Sequence, residues 1–414
     1  MPSSTYRVGA FLAAARALGV EVVIGSDRQQ ALAGAMGDNF LLVPLDDPLQ
    51  AARSIAVRAT RLALDAVIAI DDQSVAAAAH AAALLGLPRH NPPSAAEATR
   101  DKATMRSLLA ASGVPQPRHL LVGTEPGDAM RAAATIGLPV VLKPVALSGS
   151  RGVIRLDSLD AAEDVAEQVR RIAADGGPIL IEEYVDGPEV AVEGLLIGGI
   201  LHVLAIFDKP APLVGPYFEE TVYVTPSRLE ASILDRITAV TAEAAKALGL
   251  VEGPVHAELR LAEGGNDVRL IEVAARTIGG RCAKALTFQG GRTLEEIVLA
   301  HALGFDFAAG ALELEEGASG VMMLPIPATG VLARVDGLDD AATVPGIAAL
   351  EMTAVVGRVI RALPEGDRYL GFIFAAGPSP ADVEAALADA YRRLRIIIEP
   401  VVPAAGGEPG TVTT

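Results

Sequence analysis

The hydrophobic pattern of residues 1–93 switches repeatedly between two periods. "FLAAARALG" has helical spacing, "VEVVIGSD" is a compact apolar run of strand type, "LALDAVIAIDD" reads as another strand, and "QSVAAAAHAAALLGLP" as a buried helix. Strands separated by helical segments predict α/β winding on a parallel sheet. Such units open on a strand, yet "MPSSTYRVGAFLAAA" enters a helix almost at once. "PSSTYR" reads as a loop that follows a strand, so the reading frame is expected to begin upstream of Met1.

The proline pair at 92–93 closes this unit, and a new helix carries Arg100, Asp101 and Lys102. Residues 94–318 then mix strands and helices in α+β fashion. Past them, "GASGVMMLPIPATGVLARVDG" opens a strand-rich region that includes "GRVIRAL", "YLGFIFAAG" and the helix "SPADVEAALADAYRRL". The expected division is 1–93, 94–318 and 319–414. The closing "PAAGGEPGTVTT" reads as a frayed end. No internal repeat is visible.

Composition sharpens this picture. A chain of 414 residues fits two to four domains at roughly 100–200 residues each. Hydrophobic residues make up 51% and aromatics 4%, with no tryptophan, so the core is aliphatic and much of it alanine. A formal charge of −17 argues against nucleic acid, because phosphate binding needs a basic surface. Any anionic ligand must be held by a few local cations. The single cysteine, Cys282, excludes an intramolecular disulfide framework and a multi-cysteine zinc site, and beside a glycine pair it reads as a small packed residue. No segment reaches the ~20 apolar residues that span a bilayer; Val75–Leu87 carries His80 and reads as a buried helix. With no signal-type N-terminus, a cytoplasmic protein without membrane partners is expected.

Three stretches carry candidate chemistry. In "GLPVVLKPVALSGSRGVIRL" a strand ends on Lys143, and Ser148, Gly149, Ser150, Arg151 and Gly152 lead into the next strand. Glycines let backbone N–H groups approach an anion, while serine and lysine add donors and charge. The order is not that of a Walker A loop, and a strand rather than a helix follows. Glycines alone would suit a plain hairpin; the Lys-Pro before them favours phosphate. In "PILIEEYVDGPEVAVEGLL" an apolar strand enters Glu182, Glu183, Tyr184 and Val185, and a Gly-Pro turn leads to Glu189. Extended backbone suits a purine edge, Glu182 could accept from an exocyclic amine, and Glu189 could bond ribose hydroxyls. Taken alone, each acid also reads as a solvated strand end.

The third stretch, "GPVHAELRLAEGGNDVRLIEVAARTIGG", is a hairpin turning at "AEGGND". His256 and Glu258 share one face, and Glu272 lies on the partner strand. Two carboxylates at one depth repel unless a cation joins them, and oxygen ligands of this kind suit Mg²⁺. Arg276 offers a planar fork for a carboxylate or phosphate.

The order of these pieces resembles the ATP-grasp superfamily over about residues 96–318, through "RDKATMR", "VVLKPVALSGSRGV", "IEEYVDGPEV", "HAELR" and "IEVAARTIGG". The resemblance implies an ATP-grasp fold: an N-terminal parallel α/β domain, central ATP-binding subdomains of α/β and α+β type, and a C-terminal β-rich domain. It implies that Lys102 and Lys143 contact ATP phosphates and that Ser148–Gly152 form a flexible lid. Glu182 with the Glu183–Val185 backbone would read adenine, Glu189 would hold ribose, and Glu258 and Glu272 would carry Mg²⁺, or Mn²⁺ in its place. Ala274 departs from the Glu-x-Asn of many members, where the amide is a third metal ligand. "E-x-A-x-R-x-x-G-G" looks most like the L-amino acid ligase branch, in which the arginine contacts the substrate carboxylate or acyl phosphate.

The resulting expectation is an ADP-forming carboxylate–amine ligase acting on small molecules, with Lys143, His256 and Arg276 as catalytic groups; a homodimer is compatible with it. "GDRYLGFIFAAGPSPADVEAALADAYRRL" resembles the C-terminal domain of biotin-dependent carboxylases, so a carboxylase or formate-type ligase stays open, although no Met-Lys-Met biotinyl signature occurs. A non-catalytic ATP-binding module is the remaining alternative, supported by Ala274 and opposed by the intact glutamate pair. "FDKPAPLVGPYFEETVYVTPSRL" lies between the adenine and metal stretches, and Phe207, Tyr217 and Phe218 could line an acceptor pocket or fill core.

Overall fold

The structure, a computed structural model, describes residues 1–2, 5, 7–29, 39–174, 176–265 and 267–401. Ser3, Ser4 and Tyr6 of "PSSTYR", Asn266 of the "AEGGND" turn and the closing "PAAGGEPGTVTT" lie outside the described residues.

The N-terminal unit contains α1 (Val8–Leu18), β1 (Ile24–Ser26), β2 (Phe40–Leu42), α2 (Pro48–Ala59) and α3 (Asp72–Leu85). β1 and β2 pair in parallel, as the winding pattern predicts. Asp71 caps α3 by accepting from the Gln73 N–H, and Gly86 ends it in the left-handed region at φ 65°. Most of the α3 alanines are buried, so small side chains let it pack closely. The strand expected at "LALDAVIAIDD" differs: among the described residues this stretch joins no strand ladder. It is held by side contacts instead, with Ile68 against the Phe11 and Leu18 face of α1 and the Ile70 carbonyl accepting from Arg7.

Two short helices follow, α4 (Pro93–Ala98) and α5 (Lys102–Ala111). The helix expected to carry Arg100 and Asp101 begins after both, at Lys102, because Asp101 is its cap and accepts from the Thr104 N–H at 2.6 Å. A four-stranded antiparallel sheet comes next, ordered β3-β6-β4-β5: β3 (His119–Val122), β4 (Val140–Pro144), β5 (Ile154–Leu156) and β6 (Ile179–Glu183). Helices α6 (Asp128–Ile136) and α7 (Ala162–Ala173) bury their alanine faces on it.

The largest sheet has eight strands in the order β11-β10-β7-β8-β9-β12-β16-β14. These are β7 (Glu189–Ile197), β8 (Ile200–Lys209), β9 (Val222–Thr225), β10 (Gly253–Ala262), β11 (Asp267–Ala274), β12 (Ala318–Leu324), β14 (Ile347–Met352) and β16 (Gly371–Gly377). Helix α8 (Ala231–Leu248) covers one face, and α9 (Leu294–Ala302) with Phe207, Phe288 and Phe372 fills the other. β9 pairs with β12, so the sheet runs straight through position 318. A three-stranded sheet, β15 (Val359–Ile360), β13 (Gly330–Asp336) and β17 (Arg395–Glu399), stands beside α10 (Leu338–Ala342) and α11 (Pro380–Arg393). "GRVIRAL" supplies only the two-residue β15. No helix among the described residues is long and apolar enough to cross a membrane.

Candidate active site

A cleft of about 360 Å³ lies between the four- and eight-stranded sheets and contains nearly every residue singled out by sequence. The "ALSGSR" loop lines one side, Ile70–Gln73 and Asp367–Tyr369 another. Among the residues assigned to the nucleotide and metal, Gly152 is the exception. It turns the chain at φ 72°, where an added Cβ would lie 3.3 Å from Pro144 and Ile172, and its N–H donates to the Pro364 carbonyl at 2.9 Å. Gly149 and Ser150 also have positive φ, 66° and 55°, which costs a serine roughly 1–2 kcal/mol.

Lys102 and Lys143 stand at the same wall. Lys102 Nζ lies 3.2 Å from Glu272 Oε1 and donates to the Leu147 carbonyl at the base of the loop. Lys143 Nζ lies 2.6 Å from Glu182 Oε2. Burial pushes the Lys143 ammonium down to about 8, against the opposing pull of Glu182. Glu182 differs from the free acceptor expected for an exocyclic amine. Arg106 grips it through Nε and Nη2 at 2.5 and 3.0 Å, and Lys143 takes the second oxygen as well. Burial alone would raise this carboxyl, but Arg106 and Lys143 hold it at about 2.

Beyond Glu182, the amides of Glu183 and Tyr184 donate to Arg118 O and Pro139 O, and Val185 O accepts from Arg260. Among the described residues the Val185 N–H makes no hydrogen bond, so it is the donor this segment offers to the cleft. The Glu183 carboxylate meets Arg118 and Arg269 at 3.2 and 3.1 Å. Glu189 is clamped too, with Lys209 Nζ at 2.6 Å and Arg260 Nε at 2.7 Å. Tyr184 stacks on Phe218 at 6.2 Å, so Phe218 lines the cleft while Phe207 is core.

In the β10–β11 hairpin Glu258 and Glu272 are directly paired. The next pair is Leu259 with Leu270, so Ile271 is the extra residue of a β-bulge. Arg106 secures that bulge by donating to the Leu270 and Ile271 carbonyls at 3.3 and 2.6 Å. Ala274 sits opposite His256, where cross-strand Cβ atoms approach to ~5 Å; a methyl group leaves the imidazole its room. His256 Nδ1 lies 3.1 Å from Glu193 Oε2 and Nε2 lies 3.6 Å from Glu258 Oε1. Burial would lower this imidazole, but Glu193 and Glu258 raise it.

Glu220 completes a group that sequence reasoning missed: Glu189, Glu220 and Glu258 present oxygens within 4.8 Å of one another. Lys209 reaches all three carboxylates. Burial, then the Glu258 charge, pushes Glu220 up to about 7, while Glu258, despite its burial, is held well below the usual range by Lys209 and His256. Arg276 Nε bonds Asp72 Oδ1 at 2.8 Å, and Nη1 donates to the Thr277 carbonyl. Burial would lower this guanidinium; Asp72 raises it. Cys282 is buried, which pushes its thiol up to about 12.

Three family models match the chain: an ATP-grasp N-terminal domain over residues 12–89, an ATP-grasp domain over 136–285, and an L-amino acid ligase C-terminal domain 2 over 322–399. The chain belongs to the ATP-grasp superfamily. Within that superfamily, the L-amino acid ligase from Bacillus licheniformis superposes with a TM-score of 0.77 at 27% identity, covering 94% of this chain and 95% of that one. An uncharacterized protein, y4rH, from Sinorhizobium fredii is 30% identical over 301 residues, which are 71% of this chain and 60% of that protein. Alanine–anticapsin ligase of Bacillus subtilis is 30% identical over 196 residues, 42% of this chain and 40% of that ligase. The matched segments thus span less than two thirds of these two relatives. The match to this ATP-grasp fold agrees with the architecture the sequence pattern implies.

Of the residues sequence reasoning missed, three were within its reach. Arg106 lies one helical turn from Lys102 in "RDKATMR", and Glu193 shares a strand face with Glu189 by period 2. Arg260 shares a strand face with His256 and Glu258 by the same period, whereas Asp72, Lys209 and Glu220 carry no such local signal.

Proposed function

We propose that this chain is an ATP-dependent, ADP-forming ligase that joins an amino acid or related carboxylate to an amine. The observation that carries this reading is the pairing of Glu258 with Glu272 in a cleft that Lys102, Lys143 and the glycine-bearing loop also line. The acids fit Mg²⁺: both are hard oxygen donors, they retain 22% and 29% side-chain exposure, and Glu220 crowds the same place to the point of holding a proton near neutrality. Mg²⁺ bound there, or Mn²⁺ in its place, would neutralise phosphate charge.

ATP would lie with its purine edge on the Val185 N–H and its face near Tyr184. Glu182 acts in this reading as the anchor of Lys143, and Glu189, already clamped, retains acceptor capacity for ribose. A substrate carboxylate oxygen attacks the γ-phosphorus and the bond to ADP breaks. Lys102, Lys143 and the Ser148–Arg151 amides offset charge on the transferring group. The amine nitrogen then attacks the acyl carbon, phosphate leaves, and the amine gives up a proton. In this reading Arg276 and His256 would donate to the oxyanion. Closure of the loop excludes water that would hydrolyse the acyl phosphate.

Support for amino acid substrates comes from the L-amino acid ligase C-terminal domain match. The test is a panel of amino acids, singly and in pairs, with ADP release measured and products weighed by mass spectrometry. Amide products that require two substrates are expected; bicarbonate-dependent turnover without them would sink this reading.

A further inference from the structure

We infer that Asp72 is a positioning residue, supplied by the N-terminal unit, that aims the Arg276 guanidinium into the cleft. The inference rests on the ligase reading for what Arg276 does, but its geometry stands apart from it. Asp72 is the first residue of α3, next to the cap Asp71, and against its burial Arg276, with Lys102 and Arg7 behind it, holds its carboxylate below the usual range. It meets Nε of Arg276 at 2.8 Å, while one Nη1 proton goes to the Thr277 carbonyl at 2.9 Å. Of the five N–H groups of an arginine fork, three then remain for a ligand. Both side chains line the cleft and are partly exposed, 24% and 13%.

Everything else in this segment is fixed from behind. Arg7 donates to Thr277 Oγ1 at 2.8 Å, to the Thr277 carbonyl at 2.9 Å and to the Ile70 carbonyl at 2.9 Å. Glu193 accepts the Ile278 N–H at 2.9 Å. The backbone of 277–278 is therefore tied down by Arg7 and Glu193, and neither of them bonds the Arg276 side chain. An aspartate on Nε fixes that side chain, because an arginine held at both Nε and Nη1 cannot turn its plane. A purely structural ion pair between the two units would not need to sit on the cleft wall with three donors left over.

Two experiments on the full chain test this. In the first, phenylglyoxal modification of Arg276 is followed by peptide mass spectrometry in the wild type and in Asp72→Asn. Faster modification in the variant is expected; an unchanged rate overturns the inference whatever the reaction is. In the second, the proteins receive Mg-ATP, an equimolar mixture of the twenty proteinogenic L-amino acids, and hydroxylamine to trap acyl phosphate. Asp72→Asn should lower amide formation on the order of 10²-fold, raise ADP released per amide, and leave the KM for ATP unchanged. Asp72→Glu should recover part of the loss, and Asp72→Asn/Arg276→Gln should be no worse than Arg276→Gln. Full amide formation in Asp72→Asn with loss in Arg276→Gln overturns the positioning role and spares the ligase reading. Full amide formation in Arg276→Gln overturns both.

Discussion

The carboxylates of the cleft fall into two sets that differ in what already holds them. Glu182, Glu189 and Glu193 are 8% exposed or less and each is bonded to a cation or imidazole within 3.1 Å. Glu258 and Glu272 are more open, and their nearest cations stand at 3.5 and 3.2 Å. Burying an ionised acid demands a partner, so the first set had to be paired by the fold. The second set is held at longer range and keeps more of its surface open to the cleft. Depth thus separates acids that build the site from the more open pair, which in the proposed reading serves it, although both kinds occur as Glu on strands.

The sharpest way to break that contrast is Glu272→Gln. It should abolish ADP release while shifting the unfolding free energy by no more than about 0.5 kcal/mol; turnover that survives in a folded protein removes Glu272 from the served set. Arg106→Met should do the reverse first, lowering stability by about 3–5 kcal/mol because Glu182 is left with too little positive charge. Urea unfolding midpoints check it. An unchanged midpoint would mean that Glu182 is not held as described.

Smaller effects lie in pH. Lys143 loses its proton near 8, so a rate that needs the cation should fall as pH rises through that value. In Lys143→Arg the fall should vanish, and in Glu182→Gln, which removes the partner raising this ammonium, it should move to lower pH. A second pH effect lies at Glu220. Its carboxyl is raised from 4.5 to about 7 in the fold, so between those values the folded state binds more protons than the unfolded chain. Stability should therefore decline as pH rises through that window and level off above it. Glu220→Gln should flatten the curve, and thermal melts across pH 4–8 would show whether it does.

Much of this was written locally. The lysine before the glycine loop, the acidic strand ends and the placing of Glu258 and Glu272 on the two strands of one hairpin all follow from short-range spacing, and the structure gathers them on one cleft. What stayed hidden depends on contacts distant in sequence. Asp72 reaches Arg276 across 204 positions and Arg260 reaches Glu189 across 71. Glu182 looked like a free acceptor because nothing near it announces Arg106 as its partner. The bulge at Ile271 was equally invisible, since an extra residue shows only when the facing strand is known. "LALDAVIAIDD" has strand composition, but a strand exists by pairing, and its contacts here are with side chains of α1.

The pairing of β9 with β12 sets a limit on how such a protein can be recombined. A chimera cut at 318 would sever a ladder, baring Val222–Thr225 and stripping Phe372 and Phe374 from the core they share with Phe207. A graft taken at the 87–92 connection cuts no strand pair. It would, however, have to carry Arg7 and Asp72 along, or the recipient's arginine would arrive without its guide.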